Sequence, residues 1–407
     1  MSMFDLEELS KLRFGMSNIP TVGGQPGSYE EQLSQWFLER SFFRDFVYRN
    51  PRGEKKGQEL ADAVVLFDDV VLMVQVKAQC GNHEAMAWAT EKLLEAFKQL
   101  GRTHESLVEG KITTLKNDFY GEMDFDPKSY PNRLGLIILA HDSAPYIAAK
   151  LAPELLTAGF PVHVFSLKDF AIVASRFDTA GDFITFLELR GDIAPKEALM
   201  VQDETGNITR MLPHVEETYG NNLRSTPPEM LQKMAKAFEV IATGKLLDSP
   251  DWKYGLSIDD MIARAHDIDP GLSWNKGDGQ GGLEVAKFLG WLTRDRRIRL
   301  GKLLISKCEA AQGGEFHYFP HIQPSRGTAG VYLATSQSRP ERVKTLQFLV
   351  HYANMKYGVK QCFGVATEPL GNGRSYDFVI SRKPLPLELL DELKKSPDPF
   401  PSEILLF

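Results

Sequence analysis

Two runs of apolar, largely β-branched residues flank a pair of aspartates, and no other feature constrains the fold of this chain as strongly. The runs are LADAVVLF, which ends at residue 67, and VVLMVQVKA, which begins at residue 70. Asp68 and Asp69 between them are typical turn residues. Two such runs joined by a short turn predict an antiparallel β-hairpin.

The register of this hairpin follows from the position of its turn. Counting outward from Asp68 and Asp69 places Asp62 opposite Gln75. Directly opposed residues of an antiparallel pair have Cβ atoms roughly 4.5–5.5 Å apart on one face. Because side chains alternate along a strand, Lys77 shares that face with Gln75. The hairpin is therefore expected to bring an acid, an amide and a lysine together.

These polar side chains have apolar neighbours on both strands, and a charged group in such a sheet needs a partner or a metal ion. Asp62 and the Gln75 amide supply the hard oxygen ligands that Mg²⁺ prefers, and water with a substrate phosphate completes the octahedron. Lys77 is then placed to orient or deprotonate a water molecule, or to stabilise phosphoryl charge. The alternative is an exposed hairpin in which Asp62 and Lys77 form a surface salt bridge, and the apolar neighbours argue against it.

A helix is predicted before the hairpin, because apolar residues recur at helical spacing in residues 28–41. Ser28 and Glu31 form a capping-box pattern at its start. Glu30 instead lies on the apolar stripe that faces the sheet. We therefore expect Glu30, rather than Glu31, to be the fourth acidic group, either behind the metal ligands or on a second metal ion.

Further patterns extend this arrangement into an α/β domain with a mixed sheet flanked by helices, assigned to residues 1–190. The predicted strands are 42–49, 134–141 and 161–166, a polar loop covers 50–58, and the predicted helices are 83–100, 145–157 and 178–190.

The order of these features resembles the PD-(D/E)XK, or restriction-endonuclease-like, nuclease superfamily over about residues 25–190. The residues that carry the resemblance are Glu30 on a helix, Asp62 before the hairpin, and Gln75-Val76-Lys77 before the next helix. A Q-x-K third motif is typical of members found among type IV restriction enzymes.

The resemblance implies that Asp62, Gln75 and the Val76 carbonyl bind Mg²⁺, with Mn²⁺ as a substitute, and that Lys77 is catalytic. Two departures are visible. Ala61 stands where the family usually has proline, which changes little. Gln75 replaces the usual acid and removes one negative charge, so a substrate phosphate is expected to complete the metal site.

The net charge of −7 argues against a protein that coats nucleic acid through overall basicity. The basic residues are concentrated late in the chain, where residues 287–344 hold 11 basic and four acidic residues. The densest basic run is a candidate phosphate-binding surface, with a solvated helix face as the alternative. It consists of Arg294, Arg296, Arg297, Arg299 and Lys302. Arg339, Arg342 and Lys344 open a later helix, where an anion is expected as partner.

The remainder of the chain is divided by composition. Residues 191–228 are rich in Gly, Pro, Asn and charge and are predicted to be a linker. Residues 229–407 are predicted to form an α+β recognition or regulatory domain. Its helices are expected at 228–243, 257–267 and 283–307, and its β-α-β-β unit at 330–336, 339–358, 361–367 and 376–382.

The expected function is Mg²⁺-dependent cleavage of nucleic acid by a DNA endonuclease in bacterial defence, with DNA favoured over RNA. The three cysteines form no disulfide or zinc pattern and no membrane span or leader is recognised, so a cytoplasmic location is expected. The C-terminal domain would mediate homodimer or partner contacts. Two alternatives are a nuclease fold that binds or scaffolds without catalysis, and a nuclease that stays silent until a ligand or invading nucleic acid arrives.

Overall fold

The structure is a computed structural model that describes residues 28–49, 51, 60–79, 85–117, 121–141, 159–194, 203–224, 226–265, 281–313, 315–323, 326–369, 375–382, 385–400 and 405–406. The chain divides into two compact units, with the change between Ser249 and Pro250. Several predictions lie outside the described residues: most of the loop after Arg49, the helix at 145–157, and the Ser28 side chain of the capping box.

The unit that ends at Ser249 contains a five-stranded mixed sheet. Its strands are β1 (Val47–Arg49), β2 (Ala63–Phe67), β3 (Val70–Ala78), β6 (Asn132–Ala140) and β7 (Val162–Ser166). They lie in the order β1-β2-β3-β6-β7. β1, β2 and β3 are antiparallel, whereas β6 and β7 run parallel to β3. β4 (Thr114–Asn117) and β5 (Gly121–Asp124) form a separate pair. The predicted α/β class with a mixed sheet is confirmed.

The helices of this unit are α1 (Ser28–Phe42), α2 (Ala85–Val108), α3 (Leu167–Arg176), α4 (Ala180–Ile193), α5 (Glu204–Met211), α6 (Val215–Asn222) and α7 (Pro228–Ala242). α1, α2, α4 and α7 correspond to the helices predicted at 28–41, 83–100, 178–190 and 228–243, whereas α3, α5 and α6 were not predicted. The strand predicted at 42–49 is shorter than expected. α1 continues to Phe42, and a 3-10 turn (Arg44–Phe46) precedes the three residues of β1.

Both faces of the sheet are buried, which explains why β2 and β3 are almost continuously apolar. On one face Val64, Val71 and Met73 pack in a core with residues of α2, including Trp88 and Leu100. On the other face, the rings of Phe42 and Phe46 lie edge-on to Phe67, with centroids 6.0 and 5.0 Å apart. The sheet is thus a rigid base for the residues at the end of β3.

The linker predicted at 191–228 is wrong, because α5 and α6 lie within it. Arg190 in α4 donates to Glu204 in α5 at 3.0 Å, and both side chains are buried. Asn207 donates to the same carboxylate at 2.9 Å. A buried ion pair with these additional hydrogen bonds attaches the segment to the first unit.

The second unit contains a five-stranded sheet. Its strands are β8 (His317–Gln323), β9 (Thr328–Ala334), β10 (Gln361–Thr367), β11 (Tyr376–Arg382) and β12 (Leu405–Leu406), in the order β11-β10-β9-β8-β12. The helices of this unit are α8 (Leu256–Ala265), α9 (Gly281–Gly290), α10 (Arg294–Ala310), α11 (Arg339–Tyr357) and α12 (Leu387–Lys395). The predicted β-α-β-β unit is confirmed. The helix predicted at 283–307 is two helices, with Thr293 as the N-cap of the second. In the part of the chain that the structure describes, no helix has the length and apolar character needed to span a bilayer.

Candidate metal centre

The β2–β3 hairpin has the predicted register. Phe67 pairs with Val70, and the pairing continues to Ala63 opposite Val74. Asp68 adopts a positive φ of 56°, a conformation that Asp tolerates better than most residues. The turn therefore sets which residues of the two strands are adjacent at their far end.

Asp62 lies at this far end, just beyond the last residue pair of the ladder. Its N–H donates to the Val74 carbonyl at 3.1 Å, and its Oδ2 accepts from the Val76 N–H at 2.5 Å. The N–H and C=O of one residue in an extended strand point to the same side. The Val76 carbonyl therefore lies on the same edge of β3 as the N–H that contacts Asp62.

Gln75 and Asp62 line the same cavity, and the volume of this cavity is about 110 Å³. The Gln75 side chain is only 3% exposed, and its Nε2 donates to the Leu60 carbonyl at 3.4 Å. Thr103 Oγ1 of α2 donates to the same carbonyl. These contacts fix the amide nitrogen of Gln75 and leave the amide oxygen as the atom that can meet a cation.

The same cavity is lined by residues of α2 that the sequence analysis missed, namely Gln99, Arg102, Thr103 and Ser106. Gln99 Oε1 is buried and has no hydrogen-bond partner. Arg102 is largely exposed, and its Nε donates to the Lys98 carbonyl at 3.4 Å. The signal in the sequence was a stripe of polar residues at intervals of three to four, beside the apolar stripe of α2.

Lys77 points toward α2, where its Nζ lies 3.1 Å from Glu95 Oε1. Lys92 donates to the other oxygen of the same carboxylate at 2.8 Å. Hydrogen bonds from Lys92 and then from Lys77 lower the pKa of Glu95 below its usual value, against the opposing effect of burial. Lys77 is not among the residues that line the cavity; Glu95 holds it about one helical turn along α2 from Gln99, which does line it.

The structure connects Glu31, rather than Glu30, to Asp62. Gln35 Nε2 donates to the Asp62 carbonyl at 3.1 Å and to Glu31 Oε1 at 3.3 Å. Glu30 is linked within α1, where its carbonyl accepts from Ser34 Oγ at 2.8 Å. The amphipathic pattern chose between neighbouring acids, but it could not show that Gln35 bridges one of them to the hairpin.

The basic run of the second unit is not a continuous phosphate-binding surface. Arg294 and Arg297 are 1% and 0% exposed and donate to the two oxygens of Asp259 at 2.8 and 2.5 Å. The prediction that these two arginines contact nucleic acid is wrong, because buried charges paired with a carboxylate are inaccessible to phosphate.

Two of the remaining members of the run, and two arginines at the later helix start, also have intramolecular acids nearby. Arg299 pairs with Asp295, Lys302 pairs with Asp251 at 2.5 Å, and Arg296 is half-buried. At the start of α11, Arg342 is fully buried and donates to Asp377 at 2.5 Å. Carboxylates of the same chain thus take the place of the expected phosphate.

We tested whether the residues near Asp62 fit a metal ion. Across the described ranges, no group of three or more His, Cys, Asp or Glu side chains is arranged to hold one. The cavity is lined instead by one carboxylate, two amides, two hydroxyls and the side chain of Arg102, and Val76 contacts Asp62 without lining the cavity. The oxygen donors of this set suit Mg²⁺, which needs few protein ligands and retains several waters. The buried, unpartnered oxygen of Gln99 supports the fit.

Comparison of the chain with protein-family models, with curated proteins and with solved structures found no match. The interpretation of the site therefore depends on its geometry and chemistry.

Proposed function

We propose that residues 28–249 form a Mg²⁺-dependent nuclease that hydrolyses phosphodiester bonds in nucleic acid, with DNA as the expected substrate. The observation that carries the proposal is the placement of Asp62, which is anchored on the Val76 N–H and lines one cavity with Gln75 and Gln99. The order of helix, antiparallel strands, helix and parallel strand is also the order on which the resemblance to the PD-(D/E)XK superfamily rests. Membership of that superfamily, and the role in bacterial defence that it suggests, belong to this proposal.

The metal ligands would be Asp62, the Val76 carbonyl and the Gln75 amide oxygen. A bound Mg²⁺ polarises a phosphate oxygen and makes a bound water a better nucleophile. The hydrogen bond from Val76 N–H fixes one Asp62 oxygen, so the carboxylate does not need to reorganise when a cation enters. Hydrolysis forms a bond between the water oxygen and phosphorus and breaks the bond to the leaving sugar oxygen, which takes up a proton.

Lys77 acts as a hydrogen-bond donor in this arrangement. An ammonium group in an ion pair with Glu95 has no lone pair that can accept a proton from water. Of the three roles that the sequence allowed, the ion pair thus favours orientation of the nucleophile or stabilisation of phosphoryl charge over deprotonation of the water. Glu95 would position Lys77 rather than touch the substrate.

Arg102 offers a contact for the phosphate itself. Arg102 lines the cavity together with Asp62 and Gln75 and is exposed to solvent. Guanidinium groups bind phosphate in a bidentate manner, and a cation here would compensate part of the charge that a phosphodiester brings. A phosphodiester is therefore a better match for this cavity than a neutral substrate.

The direct test is a cleavage assay on supercoiled plasmid, linear duplex DNA, single-stranded DNA and RNA, with Mg²⁺ or Mn²⁺ and with EDTA. We expect cleavage of DNA with either metal and none with EDTA. Cleavage that persists unchanged in EDTA would contradict the proposal, and faster cleavage of RNA would reassign the substrate.

A second candidate function is nucleic-acid binding or scaffolding without catalysis. One observation favours it: a neutral amide, Gln75, stands where a second acid would strengthen the metal site, and its nitrogen is hydrogen-bonded to Leu60. If the chain binds duplex DNA but cleaves it with neither Mg²⁺ nor Mn²⁺, that result would support this candidate over the first.

A further inference from the structure

Gln99 has an unsatisfied oxygen at a position where chemistry is expected. It lies on α2 and lines the cavity together with Asp62 and Gln75, and its Oε1 is buried without a hydrogen-bond partner. A buried polar atom that lacks a partner destabilises the protein and calls for an explanation. An ion or water that enters the adjoining cavity, with a turn of the Gln99 amide toward it, supplies the missing partner.

We propose that Gln99 supplies the third side-chain oxygen of the cation site, either directly or through a metal-bound water. The inference rests on the proposed function, because it takes the same cavity as the metal site. The neighbouring polar atoms support it. Thr103 Oγ1 donates to the Leu60 and Gln99 main-chain carbonyls, and Gln75 Nε2 donates to the Leu60 carbonyl, so neither of these groups satisfies the Gln99 side-chain oxygen.

This assignment gives the site an unusual charge balance. Asp62 supplies one negative charge, whereas Gln75, Gln99 and the Val76 carbonyl are neutral donors. Mg²⁺ sites normally gain affinity from more than one carboxylate or from substrate phosphates. Gln99 thus adds an oxygen ligand but no charge, and the substrate phosphate supplies the charge that is lost because Gln75 stands in place of an acid.

The test is a titration of the full chain with Mn²⁺ alone, in which electron paramagnetic resonance measures the free ion. Replacing Gln99 by leucine keeps the side-chain size but removes the oxygen, so Gln99→Leu should weaken Mn²⁺ binding by roughly 10- to 100-fold. Gln99→Glu keeps the oxygen and adds a charge, so it should strengthen binding. Gln32→Leu, on an exposed position of α1, is the matched control and should bind as the unmodified chain does.

The results distinguish failure of Gln99 as a ligand from failure of the whole proposed metal site. If Gln99→Leu binds Mn²⁺ normally while Asp62→Asn loses binding, Gln99 is not a ligand and the proposed metal site stands. If the unmodified chain binds no Mn²⁺, both the inference and the metal site fail. Should Gln99→Leu not fold, as judged by circular dichroism, unchanged or weaker binding by Gln99→Glu would overturn the inference.

Discussion

Asp62 Oδ2 accepts a hydrogen bond from the Val76 N–H at 2.5 Å, and this hydrogen bond sets the orientation of the carboxylate. The contact holds one side chain at the point where the β2–β3 ladder ends. It also directs the carboxylate to the same side as the Val76 carbonyl. Metal sites need ligands held within a few tenths of an ångström, and preorganisation of this kind provides that.

The first prediction concerns Lys77, whose ammonium group is held by Glu95 about one helical turn along α2 from Gln99. Lys77→Ala should reduce the rate of DNA cleavage by about 100-fold or more, because one charge-stabilising donor is lost. Mn²⁺ binding should change little, since Lys77 is not a ligand. Lys98 is an exposed lysine on α2, the helix that carries Glu95, and Lys98→Ala is the control that should cleave at the unmodified rate. Equal rates for the two variants would show that Lys77 is structural.

The second prediction concerns Gln75→Glu. A carboxylate at this position should strengthen Mn²⁺ binding and retain cleavage, because it offers the same oxygen with an added charge. It should also lower the metal-free stability by roughly 1–3 kcal/mol, since the donor to the Leu60 carbonyl becomes an acceptor. Thermal unfolding with and without Mn²⁺ measures both effects, and the deficit should shrink when metal is present. A deficit that metal leaves unchanged would mean that residue 75 does not bind the cation.

For individual residues, the sequence predicted the site residues that lie close together in the chain. It missed the cavity residues that α2 contributes. The hairpin arithmetic brought Asp62 to Gln75 because both belong to one turn-defined ladder. Gln99 is 24 positions beyond Gln75, and its role depends on how α2 rotates over the sheet. A polar residue on a helix looks the same in sequence whether it faces a cavity or solvent.

Among the elements, β7 places a titratable group in the interior. Burial and the nearby Arg190 charge lower the pKa of His163 to about 3. The pKa in the unfolded chain is about 6.5. Below that value the unfolded state takes up a proton that the folded state refuses, so the stabilising contribution present above it is lost as the pH falls toward 3.

The third prediction follows from this difference. The free energy of unfolding of the first unit, measured in urea, should decrease between pH 6.5 and 4, with His163 contributing a large part. His163→Gln removes the titrating group and should make the decrease distinctly shallower. If the two chains lose stability in parallel over this range, His163 is not buried in neutral form.

Helices and strands were predictable where the hydrophobic periodicity agreed with the capping and turn residues at their ends. They were less predictable where individual side-chain contacts decide where a helix begins or ends. The β-α-β-β unit follows the sequence pattern, because Ser338 and Gly358 mark the ends of α11. The predicted helix at 283–307 is interrupted because Thr293 restarts it. Residues 203–222 look like a linker by composition, yet the Arg190–Glu204 ion pair orders them, and such a tertiary contact leaves no local pattern.

At the scale of the whole molecule, part of the basic character of the second unit is internal, because Arg294, Arg297 and Arg342 are buried. Asp259 receives two buried arginines, and Asp377 receives Arg339 and Arg342. Counting charges along the sequence could not distinguish such pairs from an exposed surface. The net basic excess of residues 287–344 is therefore weak support for nucleic-acid binding by this unit.

The fourth prediction tests this distinction. Arg297→Ala leaves Asp259 buried with one partner fewer and should reduce the free energy of unfolding by roughly 3–5 kcal/mol. Arg299→Ala removes an exposed charge with a neighbouring acid and should cost less than about 1 kcal/mol. Urea unfolding of the full chain gives both values. Similar costs for the two variants would mean that Arg297 is accessible after all and would reopen the surface interpretation.

The central claim, that Asp62 anchors a catalytic metal ion, is tested most directly by the cleavage rate of Asp62→Ala on duplex DNA in Mg²⁺. Asp124→Ala, an exposed acid in β5, is the matched control. The account predicts that Asp62→Ala loses at least about 100-fold in rate with its circular dichroism unchanged, and that Asp124→Ala cleaves normally. Cleavage by Asp62→Ala at the rate of the unmodified chain would contradict it.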